Sequence, residues 1–264
     1  MIADNKVYHF ALLRKLVVTQ LHTVRQQLFD MVINLYVWAF CSLIIMGYIM
    51  QSFGLAADYG SFQLASIVGT VGLFEIYGNV TRNVMDFDGD RNISYYLTLP
   101  TTPAMVFGSF VCFYTLVGIF LSIIILPFGK LLLYNTFDVT NISFMKTALM
   151  IILSNVFFGV FTLVITSHVG TMSKMRNVWS RFIFPLWIMG GFQFSWAIVY
   201  KISAPLAYLM LCNPIVYVME GFRAALLGQE GYLSWVICCG MLSLFIGAFW
   251  FYMLKRMKRL LDFV

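Results

Sequence analysis

The chain has 264 residues, of which 61% are hydrophobic and 11% charged, with a mean hydropathy of +0.86. A soluble globule of that length could not hide so much apolar surface, so composition places the chain among multi-span helical membrane proteins. The formal net charge of +6 does not point to nucleic acid, because the basic residues flank apolar runs and form no aromatic-interleaved groove.

The first residues show no short apolar core followed by a small-residue cleavage site, so no removable signal peptide is expected. Residues 7 to 29 then place Phe10, Leu13, Leu16, Val17, Leu21, Val24 and Leu28 at helical spacing, opposite Arg14, Lys15, Gln20, Arg25 and Gln26. This pattern predicts an amphipathic helix within 1–30 lying along the headgroup plane. The alternative is a juxtamembrane extension of the first span.

Long apolar runs come next at about 31–53, 61–81, 104–127, 147–169, 182–200 and 232–254. Each is near the roughly 20 residues that a helix needs to cross a hydrocarbon core. The expected fold is therefore an all-α integral membrane protein with six transmembrane helices. With a cytoplasmic N-terminus, all but Lys130, Lys146, Lys201 and Arg223 of the 17 Lys and Arg residues fall on the inner side, as the positive-inside rule requires. Both termini are thus expected in the cytoplasm.

Between the second and third spans lies Arg82 to Pro103, RNVMDFDGDRNISYYLTLPTTP. Asp86, Asp88 and Asp90 surround Gly89, and a short helix is expected from about 88 to 100, through Ile93, Tyr96 and Leu97 to Pro100. A calcium loop would need a longer ligand series closed by a glutamate, which is missing here. A docking knob for a cytoplasmic partner is the better reading.

The segment Cys212 to Gly228, CNPIVYVMEGFRAALLG, carries a proline and two charges inside an apolar run. Were 206–228 a full span, the KRMKR tail at 255–259 would face outward, against the strongest basic cluster in the chain. A re-entrant helical hairpin facing outward, just before the last span, is predicted instead. Irregular backbone at membrane depth is tolerated where protein buries it. Glu220 and Arg223, three residues apart, are spaced for a mutual ion pair.

Several chemistries lack their motifs. No GxxxxGK[ST] loop, HExxH or GxSxG occurs, and His9, His22 and His168 are scattered, so ATP hydrolysis by a phosphate loop, metalloprotease and serine-hydrolase readings have no support. No metal or cofactor site is expected on this chain. Cys41, Cys112, Cys212, Cys238 and Cys239 lie in or beside apolar segments without CxxC pairing and read as small hydrophobes. Among the carboxylates, Glu75 alone lies well within a span, where a packing or snorkelling role is weighed above transport. Phe192, Ser195 and Trp196, in GGFQFSW, are candidates for lining a substrate path, although aromatic belts are the commoner reason for such content.

Three of these segments together resemble the ATP-binding-cassette type-2 permeases, the membrane subunits of exporters for polysaccharides, lipids and drugs. They are Asn213-Pro-Ile-Val-Tyr-Val-Met-Glu-Gly-Phe-Arg223 closing at Leu227-Gly228, Gly190-Gly191-Phe192 followed by Phe194-Ser195, and Asp90-Arg91-Asn92-Ile93 leading to Leu97-Thr98-Leu99-Pro100 with Gly108 beyond. The resemblance implies one type-2 permease domain over 31–264. By the same resemblance, Asp90, Arg91, Ile93, Tyr96, Leu97 and Pro100 form a coupling helix that seats in a separate cytoplasmic ATPase subunit, flanked by Arg14 and Lys15. Asn213, Pro214, Glu220 and Arg223 belong to the re-entrant helices closing the extracellular end. ATP and magnesium are then handled by the partner, two permeases pair as a homodimer among plasma (inner) membrane lipids, and the chain itself is no enzyme. Where the family often has a glutamate in the coupling helix, this chain has Ser94-Tyr95-Tyr96. A non-transporting assembly or anchoring protein and an intramembrane enzyme are the competing readings.

Overall fold

The computed structural model describes residues 2–89, 91–169 and 171–261, and among them regular structure is entirely helical. Helix α1 runs unbroken from Ile2 to Ile44, continues through a π-turn over Ile45–Ile49 and a 3₁₀ turn over Met50–Phe53, and stops at Gly54 with φ +92°. No glycine or proline occurs between Ile2 and Ile44, so nothing in the sequence interrupts the helix. The expected interfacial helix within 1–30 is therefore not a separate element; it and the first span form one rod. Its apolar stripe is also used within the protein. Leu16, Val17 and Val24 are buried while Arg14, Lys15 and Arg25 are exposed, and Gln20 Nε2 donates to Ser109 Oγ at 3.3 Å.

Helices α2 (Tyr59–Asp88), α3 (Asn92–Thr98), α4 (Pro103–Leu132) and α5 (Phe144–Thr166) continue the chain, and α11 (Trp235–Leu261) ends the fold. Thr102 caps α4 by accepting from Met105 N at 3.3 Å, with Pro103 in the first turn, where a missing N–H costs nothing. At the other end of α4, Lys130 Nζ donates to Tyr134 O at 3.0 Å and so ties down the turn that follows the helix, its positive charge lying at the negative end of the helix dipole. Among the described residues five helices are long and apolar enough to cross a membrane, up to six if one bent pair counts as a span.

The centre of the bundle is α5, packed by α2, α4, α11 and the helix Pro214–Leu226. Lipid gives apolar helices no solvent-driven reason to associate, so close approach by small residues has to supply the contact. A Cβ on Gly118 of α4 would lie 2.0 Å from Asn155 Oδ1, and one on Gly72 of α2 would lie 2.7 Å from Phe158 Cδ2. Asn155 in turn donates to Ser122 Oγ at 3.2 Å. In contrast, only 11% of the apolar window of α1 and 17% of that of α11 are buried, against 72% for α5. Those two outer helices leave broad apolar faces uncovered.

The expected span at 182–200 is not one helix. Instead α6 (Met172–Val178), a π-turn at Trp179–Ile183 and α7 (Phe184–Met189) form a helical run that ends at Gly190, and the chain turns at Gly191 with φ +84°. The remainder of the apolar run belongs to a second region beyond that turn. This region is α8 (Trp196–Ile202), α9 (Ala204–Met210) and α10 (Pro214–Leu226), with α9 and α10 meeting at 97° over Leu211–Asn213. The segment 206–228, expected as a hairpin, is thus two helices of unequal length, and α8 precedes it.

Side-chain contacts sort the two ends of the bundle. The C-terminal ends of α5 and α11 meet where Arg256 Nε donates to Ser167 O at 3.0 Å, and Asn83 of α2 reaches Thr166 of α5 at 3.2 Å. The basic part of α1, α3 and the end of α11 therefore share one end. The opposite end holds the start of α2, the end of α4 and the end of α10, tied by Ser61 Oγ donating to Thr136 O at 2.9 Å and Ser143 N to Ala225 O at 3.0 Å.

Candidate functional site

Three features stand out, and the first is the α2–α3 corner. Arg91 sits in the left-handed region at φ 54°, where its N–H donates to Asp86 O at 2.8 Å. Both carboxylate oxygens of Asp86 then serve the start of α3. Oδ1 accepts from Asn92 N and Asn92 Nδ2, each at 2.9 Å, and Oδ2 accepts from Ile93 N at 2.8 Å. A carboxylate at a helix N-terminus satisfies orphan amides and meets the positive end of the helix dipole. Asp86 is thus a clamp on α3, which explains the aspartate in that stretch without a metal ion.

The clamp fixes which face of α3 is free. Ile93 is buried, Tyr96 and Leu97 are half-buried against the core, and Tyr96 lies 6.2 Å from the Phe110 ring of α4. Tyr95 is 62% exposed, and Arg91 and Pro100 are exposed as well. Of the predicted coupling residues, then, Ile93, Tyr96 and Leu97 mainly anchor the helix, Arg91 and Pro100 lie on its outer side, and Asp90 lies outside the described residues. Tyr95 was not predicted. The spacing 93, 96, 97 is that of a buried helical face, so it also implied that position 95 points away.

At the opposite end lies a buried ion pair. Arg223 is 0% and Glu220 1% exposed, with Arg223 Nη1 3.0 Å from Glu220 Oε1. Arg223 also donates to Phe194 O at 3.1 Å, to Phe192 O at 3.3 Å, to Gly191 O at 2.5 Å and to Ser66 Oγ of α2 at 2.7 Å, and its guanidinium stacks 3.8 Å from the centroid of Phe62. Glu220 accepts from Trp196 N at 3.0 Å and from Leu233 N at 3.1 Å. One arginine therefore holds the carbonyls of the 191–194 turn, while one glutamate holds the amides on either side of α10. Asn213 caps α10 through Ile215 N at 3.0 Å and donates to Leu186 O of α7 at 2.7 Å, with Pro214 in the first turn.

Of the candidates for a substrate path, Phe192 is buried against Trp187 at 4.5 Å, Ser195 is buried, and the indole of Trp196 donates to Ala207 O at 2.8 Å. They are part of the packing of this turn. None of them lines the large cavity, which forms the third feature.

That cavity, of about 1060 Å³, runs between α1, α2 and α4 from the α3 corner inward to Trp38, Phe74 and Leu121. Its polar lining includes Gln20, Glu75, Arg82 and Asp86. Near its α3 end Arg82 Nη2 donates to Gln27 Oε1 at 3.0 Å, while Tyr114 donates to Asn83 Oδ1 at 2.8 Å in the wall. No single stretch of sequence encodes this space, because each helix contributes only one face.

The chain is 26% identical over 193 residues, 73% of its length and 72% of theirs, to the inner membrane transport permease YadH of Escherichia coli (strain K12) and to the same permease of Shigella flexneri. No family model matches the chain. No solved structure matches it either. The resemblance to the ATP-binding-cassette type-2 permeases, carried by Asp90–Pro100, Gly190–Ser195 and Asn213–Gly228, is thus joined by similarity to inner membrane transport permeases over nearly three quarters of the chain.

Proposed function

We propose that this chain is the membrane subunit of an exporter that moves an amphipathic substrate outward with ATP hydrolysed by a separate cytoplasmic subunit. The observation that carries the reading is α3, a short helix clamped by Asp86 at the end of α2 with Tyr95 turned outward. Such a rigid, exposed knob suits a partner that must push on the bundle. Similarity to transport permeases supports the same reading. Two chains would pair through their uncovered apolar faces, each ATPase seating on one α3. ATP and magnesium then act entirely on the partner.

In this reading the α3 end is cytoplasmic and the 97° corner of α9 and α10 is a re-entrant element whose outer end, held by Glu220 and Arg223, closes the far side. Orientation is checked by single cysteines in a cysteine-free background. Labels at Asp58 and Glu230, both exposed at one end, are expected from outside, and a label at Lys258 only from inside. Outside labelling at Lys258 would replace this topology with one of opposite parity.

Function is tested by purifying the chain with whatever ATPase accompanies it and reconstituting the pair into vesicles. ATP-dependent movement of an amphiphile across the membrane is expected. A stable partner complex that hydrolyses ATP but leaves every tested lipid, lipid-linked sugar and hydrophobic drug where it was would favour an assembly or anchoring role.

A further inference from the structure

The cavity between α1, α2 and α4 contains a carboxylate that no group among the described residues bonds directly. Among the described residues Glu75 makes no ion pair and no hydrogen bond, although it lines a space bounded by Trp38, Phe74, Phe113 and Tyr114. The other charged groups of the cavity have hydrogen-bond partners elsewhere. Arg82 lies two helical turns nearer the α3 end, about 10 Å along the axis, and is held by Gln27, while both oxygens of Asp86 cap α3. An ionised carboxylate is costly in such a place unless a cation meets it.

The walls agree in sign with the carboxylate. Trp38 and Phe74 pack with ring centroids 4.6 Å apart, and aromatic faces attract cations and disfavour anions. Toward the α3 end, Gln20 is 8% exposed and its Oε1 has no partner among the described residues, an acceptor without a donor in the same cavity. A volume of about 1060 Å³ accommodates a drug-sized body. At Gly78, which also lines the space, a Cβ would meet no atom within 4 Å.

We propose that this cavity binds an amphipathic cation, with Glu75 as its counter-charge and the Trp38 and Phe74 rings as the wall for its apolar body. As a statement of the transported substrate class it rests on the function proposed above; as a binding site it stands without it. The carboxylate then needs no protein partner, because the ligand supplies one. Entry is from the α1–α2 side, where Asn34, Tyr77 and Gly78 are exposed.

The test uses two probes of nearly the same shape and opposite charge, tetraphenylphosphonium and tetraphenylborate, binding to the purified full-length chain in detergent without any ATPase. Tetraphenylphosphonium is expected to bind in preference, and E75Q to weaken it by about tenfold without weakening tetraphenylborate. G78L should abolish binding of the cation while melting like the unmodified protein, since leucine enters open space and favours helix. Equal binding of the two probes, or cation binding unchanged in both E75Q and G78L, would overturn the site. Glu75-dependent binding in a protein that shows no ATP-driven transport upholds the site and removes only the exporter reading. Intact transport of other amphiphiles with no Glu75-dependent binding does the reverse.

Discussion

Exchanging the charges of the buried pair, E220R together with R223E, is expected to leave the protein no more stable than either single substitution. A pair that acted only through mutual attraction would tolerate the exchange. Here the surroundings are polarised, because the arginine faces the carbonyls of Gly191, Phe192 and Phe194 while the glutamate faces the amides of Trp196 and Leu233. A carboxylate at position 223 would point into three carbonyl oxygens, and a guanidinium at 220 into two N–H donors. Removing one partner alone, as in R223M or E220Q, leaves a buried charge unanswered and should cost about 3 to 5 kcal/mol. The measurement is a denaturant titration in mixed micelles of both singles, the neutral double and the exchanged double. The neutral double R223M/E220Q should lose less than the sum of its singles, the mark of coupling. Recovery of stability in the exchanged protein would show that the backbone dipoles around the pair contribute little.

The second large effect concerns α3. Y95D is expected to lower the amount of ATPase retained on the purified permease by roughly 30-fold, the consequence of losing about 2 kcal/mol at an interface anchor. Its melting temperature should stay the same, because Tyr95 is exposed and carries little of the fold. D86A is a different kind of lesion. It frees the amides of Asn92 and Ile93, loosens the first turn of α3 and should lower both ATPase retention and thermal stability. Measured side by side, Y95D reports contact and D86A reports positioning. Full ATPase retention in Y95D would move the docking surface away from α3.

The apolar runs identified α2, α4, α5 and α11, with starts within three residues and ends within seven, because long membrane-spanning helices advertise themselves by composition. The end of the fifth span was hidden by the same signal. Phe192, Phe194 and Trp196 carry apolar residues across the place where the backbone turns, and the break is marked only by Gly190-Gly191, Gln193 and Ser195 between them. At the N-terminus the error ran the other way. Charged residues suggested an element boundary near residue 30, but helix breakers, not charge, end helices, and the first glycine of the chain is Gly47. The i, i+3 spacing of Glu220 and Arg223 announced their pairing, whereas their carbonyl and amide partners come from turns far along the chain and leave no local pattern. The cavity around Glu75 was invisible for the same reason, being assembled from faces of three helices.

The unbroken α1 also sets how movement can pass through this molecule. Just beyond its end, in the π-turn that continues it, the chain crosses α2 at Gly47 and Gly60, where a Cβ on Gly60 would sit 3.0 Å from Gly47 Cα. Neither crossing residue has a side chain, and Leu133 packs against both, so the crossing would serve as a fulcrum and the helix from there back to Ile2 as a lever about 65 Å long. A tilt of about 5° at the fulcrum sweeps the opposite tip through about 6 Å. Gln20, hydrogen-bonded to Ser109 of α4 partway along the lever, would move less than the tip and so pass a smaller displacement, at greater force, to α4.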